Sequence, residues 1–174
     1  LPSRLVNLGL DLRGGVHLLA EVKVEDVYSA RMTSMWPEVR DLLRGGRATV
    51  GTIRQQPGPD TELRFKISKP EAIQEAASLV RGLSRPVTSI TGAGASDIVV
   101  STDGDTIIVE LSDAEKLASD QRTVQQALEI IRRRIDEVGT REPTIQRQGI
   151  DRILIQVPGI GSASELKKII GTTA

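Results

Sequence analysis

The sequence predicts an α+β fold made of two related βαββαβ units, in tandem or interlocked, with the second lacking its last strand. Three observations carry this. Hydrophobic periodicity switches repeatedly between two and 3.6 residues, and its order reads β α ββ α β, then β α ββ α. A weak internal repeat runs through both halves: Thr52-Ile53-Arg54-Gln55-Gln56, a loop and Leu63–Ile67 resemble Thr144–Gln148, a loop and Ile153–Val157. With 39% hydrophobic residues and 16 Gly, the composition is that of a folded globular chain. The split βαββαβ order is the ferredoxin-like arrangement.

The elements follow in order. Val16–Val22 reads as a strand. Over 24–44, Tyr28, Met32, Met35, Val39 and Leu42 recur at helical spacing; Pro37 predicts a kink, or a short helix joined to a longer one, and Gly45-Gly46 an end. Thr49–Gln55 and Glu62–Ile67 read as strands joined by the loop Gln56–Asp60. Ser68 and Glu71 form a capping box, with Pro70 in the first turn, for a helix over about 69–82. Its inward face is Ile73, Ala76, Val80 and Leu83. Residues 84–96, with Thr91–Ser96 rich in Gly, read as a surface connection.

Asp97–Thr102 and Thr106–Leu111 are strands around a two-residue turn, Asp103-Gly104. Ser112 and Glu115 cap a long helix with the stripe Leu117, Val124, Leu128, Ile131, Ile135 and Val138, stopped by Gly139. Thr144–Gln148 and Arg152–Val157 form a hairpin through Gln148–Asp151. Ser162 and Glu165 cap a short last helix that turns Leu166, Ile169 and Ile170 inward.

Composition removes several function classes. The chain has no Cys and one His, so thiolate catalysis and Cys or multi-His metal sites are excluded. Three aromatics and a net charge of zero over 174 residues argue against nucleic-acid binding. No apolar run reaches five residues, against about 20 for a membrane span. The start at Leu1-Pro2-Ser3-Arg4, without Met, reads as a piece of a longer protein.

Each short motif has a plain structural reading. Gly159–Ser164 follows a strand and opens a helix, as a phosphate-binding turn does, but lacks the third Gly, so a turn plus a cap is favoured. Ser164 and Lys167 have the Ser-x-x-Lys spacing without its companion motifs. Asp103-Gly104-Asp105 reads as a hairpin turn rather than a cation loop. His17 reads as a structural strand residue. Arg132-Arg133-Arg134 reads as a solvated helix face neutralised by Glu129, Asp136 and Glu137. Leu8–Gly15 reads as a glycine-dependent loop in which Asp11 and Arg13 can pair or cap.

Two blocks resemble a known family. The first is Leu8–Gly15 followed by Val16-His17-Leu18-Leu19, with Gly9, Asp11, Arg13, Gly14 and Gly15. The second is Ile131–Gly139, then Glu142-Pro143, Gln146, Gln148, Gly149, Arg152, Pro158 and Gly159. Together they resemble the SecD family, accessory subunits of the bacterial protein-export (Sec) translocase. The resemblance covers roughly 7–21 and 127–174; the stretch between resembles an insertion found in longer members. At His17 the family often has Arg.

The resemblance implies the N-terminal part of the first large periplasmic domain, at the periplasmic face of the inner membrane. It implies an opening loop and first strand over 1–22, an inserted αββαββ subdomain over 23–112, and a C-terminally truncated membrane-proximal base over 113–174. It implies a non-enzymatic scaffold assisting proton-motive-force-driven export. Its partners would be the rest of SecD, the SecF subunit, the Sec channel and the translocating preprotein; no nucleic acid, cofactor, metal or catalytic residue is implied. The signature residues read as structural, and the absent last strand as an edge open to strand addition. The alternative is a ferredoxin-like regulatory module binding a small ligand.

Overall fold

The computed structural model describes residues 6–12, 15–88, 94–139 and 142–171, the first of these as backbone. The strands are β1 (Val6–Leu12), β2 (Gly15–Glu21), β3 (Ile53–Gln56), β4 (Glu62–Ile67), β5 (Ile98–Asp103), β6 (Thr106–Leu111), β7 (Thr144–Gln148) and β8 (Arg152–Val157). The helices are α1 (Val24–Gly45), α2 (Arg47–Val50), α3 (Ile73–Arg81), α4 (Asp113–Glu137) and α5 (Ala163–Gly171), with a 3-10 turn at Pro70–Ala72. The chain divides into two compact units, Leu1–Val24 with Ser119–Ala174, and Glu25–Ala118.

Each unit holds one four-stranded antiparallel sheet, ordered β1-β2-β8-β7 in the first and β3-β4-β6-β5 in the second. Helices and sheets segregate as in an α+β protein. The two sheets are interlocked in sequence rather than in tandem. Written as hairpins and helices, the chain is ββαββα twice, setting aside the single-turn α2. One sheet joins the first hairpin to the last, and the other joins the two middle hairpins.

This arrangement corrects several expectations. The strand expected to come first, Val16–Val22, is preceded by another: β2 is paired with β1, from Val6↔Glu21 to Leu12↔Gly15. Leu8–Leu12 is therefore strand rather than loop; Val6, Leu8, Leu10 and Leu12 alternate with polar or Gly residues, which is the period of a strand. Thr49 and Val50 belong to α2, and Gly51, at φ +77°, separates that turn from β3. Ser68 does not cap α3. Its hydroxyl sits where a Cβ on Gly51 would fall and accepts the Thr52 N–H at 2.9 Å, so the helix opens through the Pro70 turn.

In the hairpin β5–β6, Asp103 pairs with Thr106, so the turn residues are Gly104-Asp105, one step later than expected. Gly104 takes the left-handed place at φ +57°. Helix α1 runs through Pro37 as one element, buried along Tyr28, Met32, Met35, Val39 and Leu43. Leu43 rather than Leu42 completes that face. In α4, Val124, Ile131 and Ile135 are buried, but Leu117, and Val138 just past the end of the helix, are about half exposed. The caps by Ser112 on Glu115 N–H (3.1 Å) and by Ser162 on Glu165 N–H (3.2 Å) form as the sequence indicates.

One face of each sheet is buried. In the first unit, Val16, Leu18 and Ala20 of β2 and Ile153, Ile155 and Val157 of β8 form a core with residues of α4 and α5. Arg134 of α4 donates to the carbonyl of Ile170 in the last turn of α5, so this member of the arginine run is a helix cap rather than a solvated charge. In the second unit, Phe65 is fully buried and lies 6.0 Å from the Trp36 ring.

Candidate functional site

The signature residues gather at the two ends of the first sheet. At one end, Val16 of β2 opposes Val157 of β8, and Thr144 of β7 opposes Gln156. Gly15 begins β2 there. A Cβ built on it would lie 3.0 Å from the Val157 carbonyl oxygen and 3.2 Å from the Pro158 Cα, so only glycine fits without displacing backbone. Pro158 and Gly159 (φ +82°) then turn the chain toward α5. Gly139 (φ +74°) ends α4, and Glu142 (φ +49°) with Pro143 leads into β7. Glu142 is a non-glycine residue in the left-handed region, a conformation that costs energy.

At the other end, Gln148 opposes Arg152, and the loop Gly149–Asp151 closes the hairpin with Gly149 at φ +68°. Arg147 braces it, donating to the carbonyls of Gly149 (2.9 Å) and Ile150 (3.3 Å). Arg152 also opposes Glu21 of β2. Gln146 lies mid-strand in β7, opposite Leu154. Gly9 and Asp11 are β1 positions opposite Leu18 and Val16. Arg13 and Gly14 lie outside the described residues. The described part of the signature thus lies at turns and at paired strand positions of one sheet.

His17 is half-buried, and its Nδ1 is 3.1 Å from the amide nitrogen of Gln156, its partner across β2–β8. Ser164 is exposed on α5. Asp105 is 2.8 Å from Lys66 Nζ, and the hydrogen bond from Lys66 holds its carboxyl below the ordinary value. No group of three or more His, Asp or Glu able to hold a metal occurs among the described residues.

Two features had no prediction from sequence. Asp97, 7% exposed, accepts the Arg85 N–H at 2.7 Å and lies 3.5 Å from an Arg31 guanidinium nitrogen. Its backbone also bonds Arg85 and Ser112, tying α1, the 85–97 segment and the start of α4 together. The second is a groove of about 570 Å³ between α1 and the end of β3 with its following loop, lined among others by Ser29, Thr33, Gln55, Gln56, Asp60 and Glu62. A spacing rule cannot find it, because its walls are far apart in sequence.

No helix among the described residues is long and apolar enough to cross a membrane. Two family models match. The SecD/SecF GG motif covers residues 6–25, and the N-terminal P1 domain of the protein translocase subunit SecDF covers 124–174. Both fall almost wholly in the first unit, and together they supply all four strands of its sheet. Curated relatives extend through the second unit. Protein translocase subunit SecD of Rhodobacter capsulatus is 60% identical over 99% of this chain and 31% of its own length. The subunit of the same description from Magnetococcus marinus is 33% identical over 100% of this chain and 31% of its own length, and that of Pseudomonas aeruginosa 32% over 97% and 26%. No solved structure matches. The chain spans about a third or less of these relatives. With both signature blocks meeting in one sheet and similarity running along the whole chain, the chain belongs to the SecD family of protein translocase subunits.

Proposed function

We propose that this chain is an extracytoplasmic scaffold domain of a Sec translocase subunit and assists proton-motive-force-driven export of preproteins by protein–protein contact rather than catalysis. The observation that carries the reading is the 60% identity to a SecD over 99% of the chain, which includes the second unit as well as the signature blocks. The first unit is the membrane-proximal base, at the periplasmic face of the inner membrane. The second is an insertion within its sequence. The partners are the rest of the subunit, SecF, the channel and the moving preprotein.

The signature suits a support. Gly15, Gly139, Gly149 and Gly159 hold close backbone approach or left-handed turns at the ends of one sheet, which makes that sheet a defined platform.

The test uses the full-length subunit in cells. The segment 25–118 is replaced by a short linker, and precursor processing is followed by pulse–chase with and without an ionophore. Slowed processing that is indistinguishable from the parent once the proton-motive force is collapsed is the expected result. Unchanged processing with intact membrane insertion refutes the reading. Protease access from the periplasmic side only, in spheroplasts, checks the location.

A further inference from the structure

The second sheet has β3 as an outer strand, bonded on one side to β4. The Ser68 N–H donates to the Thr52 carbonyl at 2.8 Å, which makes Thr52/Ser68 a bonded pair. Bonded pairs alternate along an antiparallel ladder. Arg54 and Gln56 therefore bond inward to β4, and the N–H and C=O groups of Ile53 and Gln55 face outward. Gln55 opposes the buried Phe65, so its side chain lies on the helix-covered side of the sheet, where it lines the groove against Ser29 and Thr33 of α1. A strand added outside β3 would turn alternate side chains into this groove.

The groove also has a charge. Of its two acids, Glu62 is bonded to Arg64 at 2.7 Å, whereas Asp60 is exposed and has no ion-pair partner among the described residues. An uncompensated carboxylate beside outward-facing backbone groups suits a basic, extended segment.

We propose that the outer edge of β3 takes a short extended segment of unfolded polypeptide by strand addition, with a Lys or Arg of that segment meeting Asp60. Affinity comes from the backbone and is largely indifferent to sequence. The edge is four residues long and closed by Pro57-Gly58-Pro59, so the contact is brief and weak, as a chain in transit requires. The identity of the occupant as an exported chain rests on the translocase reading above; the edge geometry does not.

The binding test titrates the 15N-labelled 174-residue chain with the blocked hexapeptide Thr-Val-Lys-Val-Thr-Lys, and with the same peptide N-methylated at alternate residues. The largest amide shifts are expected at Ile53 and Gln55, and the methylated peptide should not produce them. Gln55→Pro removes one outward N–H that the β4 ladder does not use. It should weaken binding about five- to tenfold with the sheet intact. Asp60→Asn should weaken it about two- to fivefold at low salt, with the difference vanishing at high salt. Shifts centred elsewhere, equal binding of the methylated peptide, or concentration-dependent pairing of β3 with a second copy would overturn the proposal. The methylated peptide decides the matter even if Gln55→Pro fails to fold. In the full-length subunit, Gln55→Pro should slow export. Normal export by this variant, with slow export on loss of 25–118, overturns the edge proposal and leaves the translocase reading standing. Normal export on loss of 25–118 refutes the translocase reading itself.

Discussion

Gly15→Ala tests the seam that joins the two signature blocks. The added Cβ would sit 3.0 Å from the Val157 carbonyl oxygen and 3.2 Å from the Pro158 Cα, inside ordinary contact distance. Both neighbours are backbone, so no side chain can swing aside. Nor can β8 retreat, because it lies between β2 and β7 with bonded pairs on both sides. The cost is that of overpacking a rigid site, about 1–3 kcal/mol. For a unit of this size that lowers Tm by roughly 5–15 °C. Gly45→Ala is the control: its Cβ would meet nothing within 4 Å, and Ala is the better helix former by about 0.5–1 kcal/mol. The assay is thermal and urea unfolding followed by circular dichroism, with amide exchange at Leu18 and Ile155 to locate the effect in the first sheet. A Gly15→Ala protein as stable as the parent, or one destabilised no more than Gly45→Ala, would refute the close-approach argument.

Other outcomes follow from the same geometry. Asp97→Ala should cost about 2 kcal/mol, since it strips a buried charged acceptor from the Arg85 N–H; Asp97→Asn should cost less, because one oxygen remains. Unfolding followed by the fluorescence of Trp36, which lies in the same unit, separates the two. Lys66→Met should return the Asp105 carboxyl from its lowered position toward its ordinary value in an NMR titration. Because the folded-state pKa is depressed, the small stabilisation is present above the unfolded carboxylate pKa, about 4, and is lost as pH falls through the folded value. Added salt should shrink the shift, because the pair is exposed.

Much of the secondary structure was readable because it depends on neighbours in sequence. The alternation in Glu62–Ile67, Thr106–Leu111 and Arg152–Val157 defines strands, and all three have the predicted limits. Ser112, Ser162 and Gly139 mark helix ends through bonds within a single turn. Where local signals competed, reading failed. The glycines around Leu8–Gly15 hid an alternating strand, and the β-branched Thr49 and Val50 hid a helical turn. Ser68 had the spacing of a cap but spends its hydroxyl on Thr52, a partner sixteen residues away. The signature residues were named from sequence; that their described members lie along one sheet and cluster at its ends was visible only once β2 was paired with β8.

The sequence alone determined three of the four hairpins, the helices between them and the family, since turn chemistry, periodicity and short signature blocks are all local. It carried eleven of the twelve main elements found among the described residues; β1 is the one it missed. Only the tertiary structure decided which hairpins share a sheet. Every hairpin here presents an apolar face and a free edge, and these are interchangeable on local grounds. The choice falls to long-range burial: Val16, Leu18 and Ala20 share their core with Ile153, Ile155 and Val157, so the first hairpin closes on the last and the β3 edge is left at the margin of the other sheet.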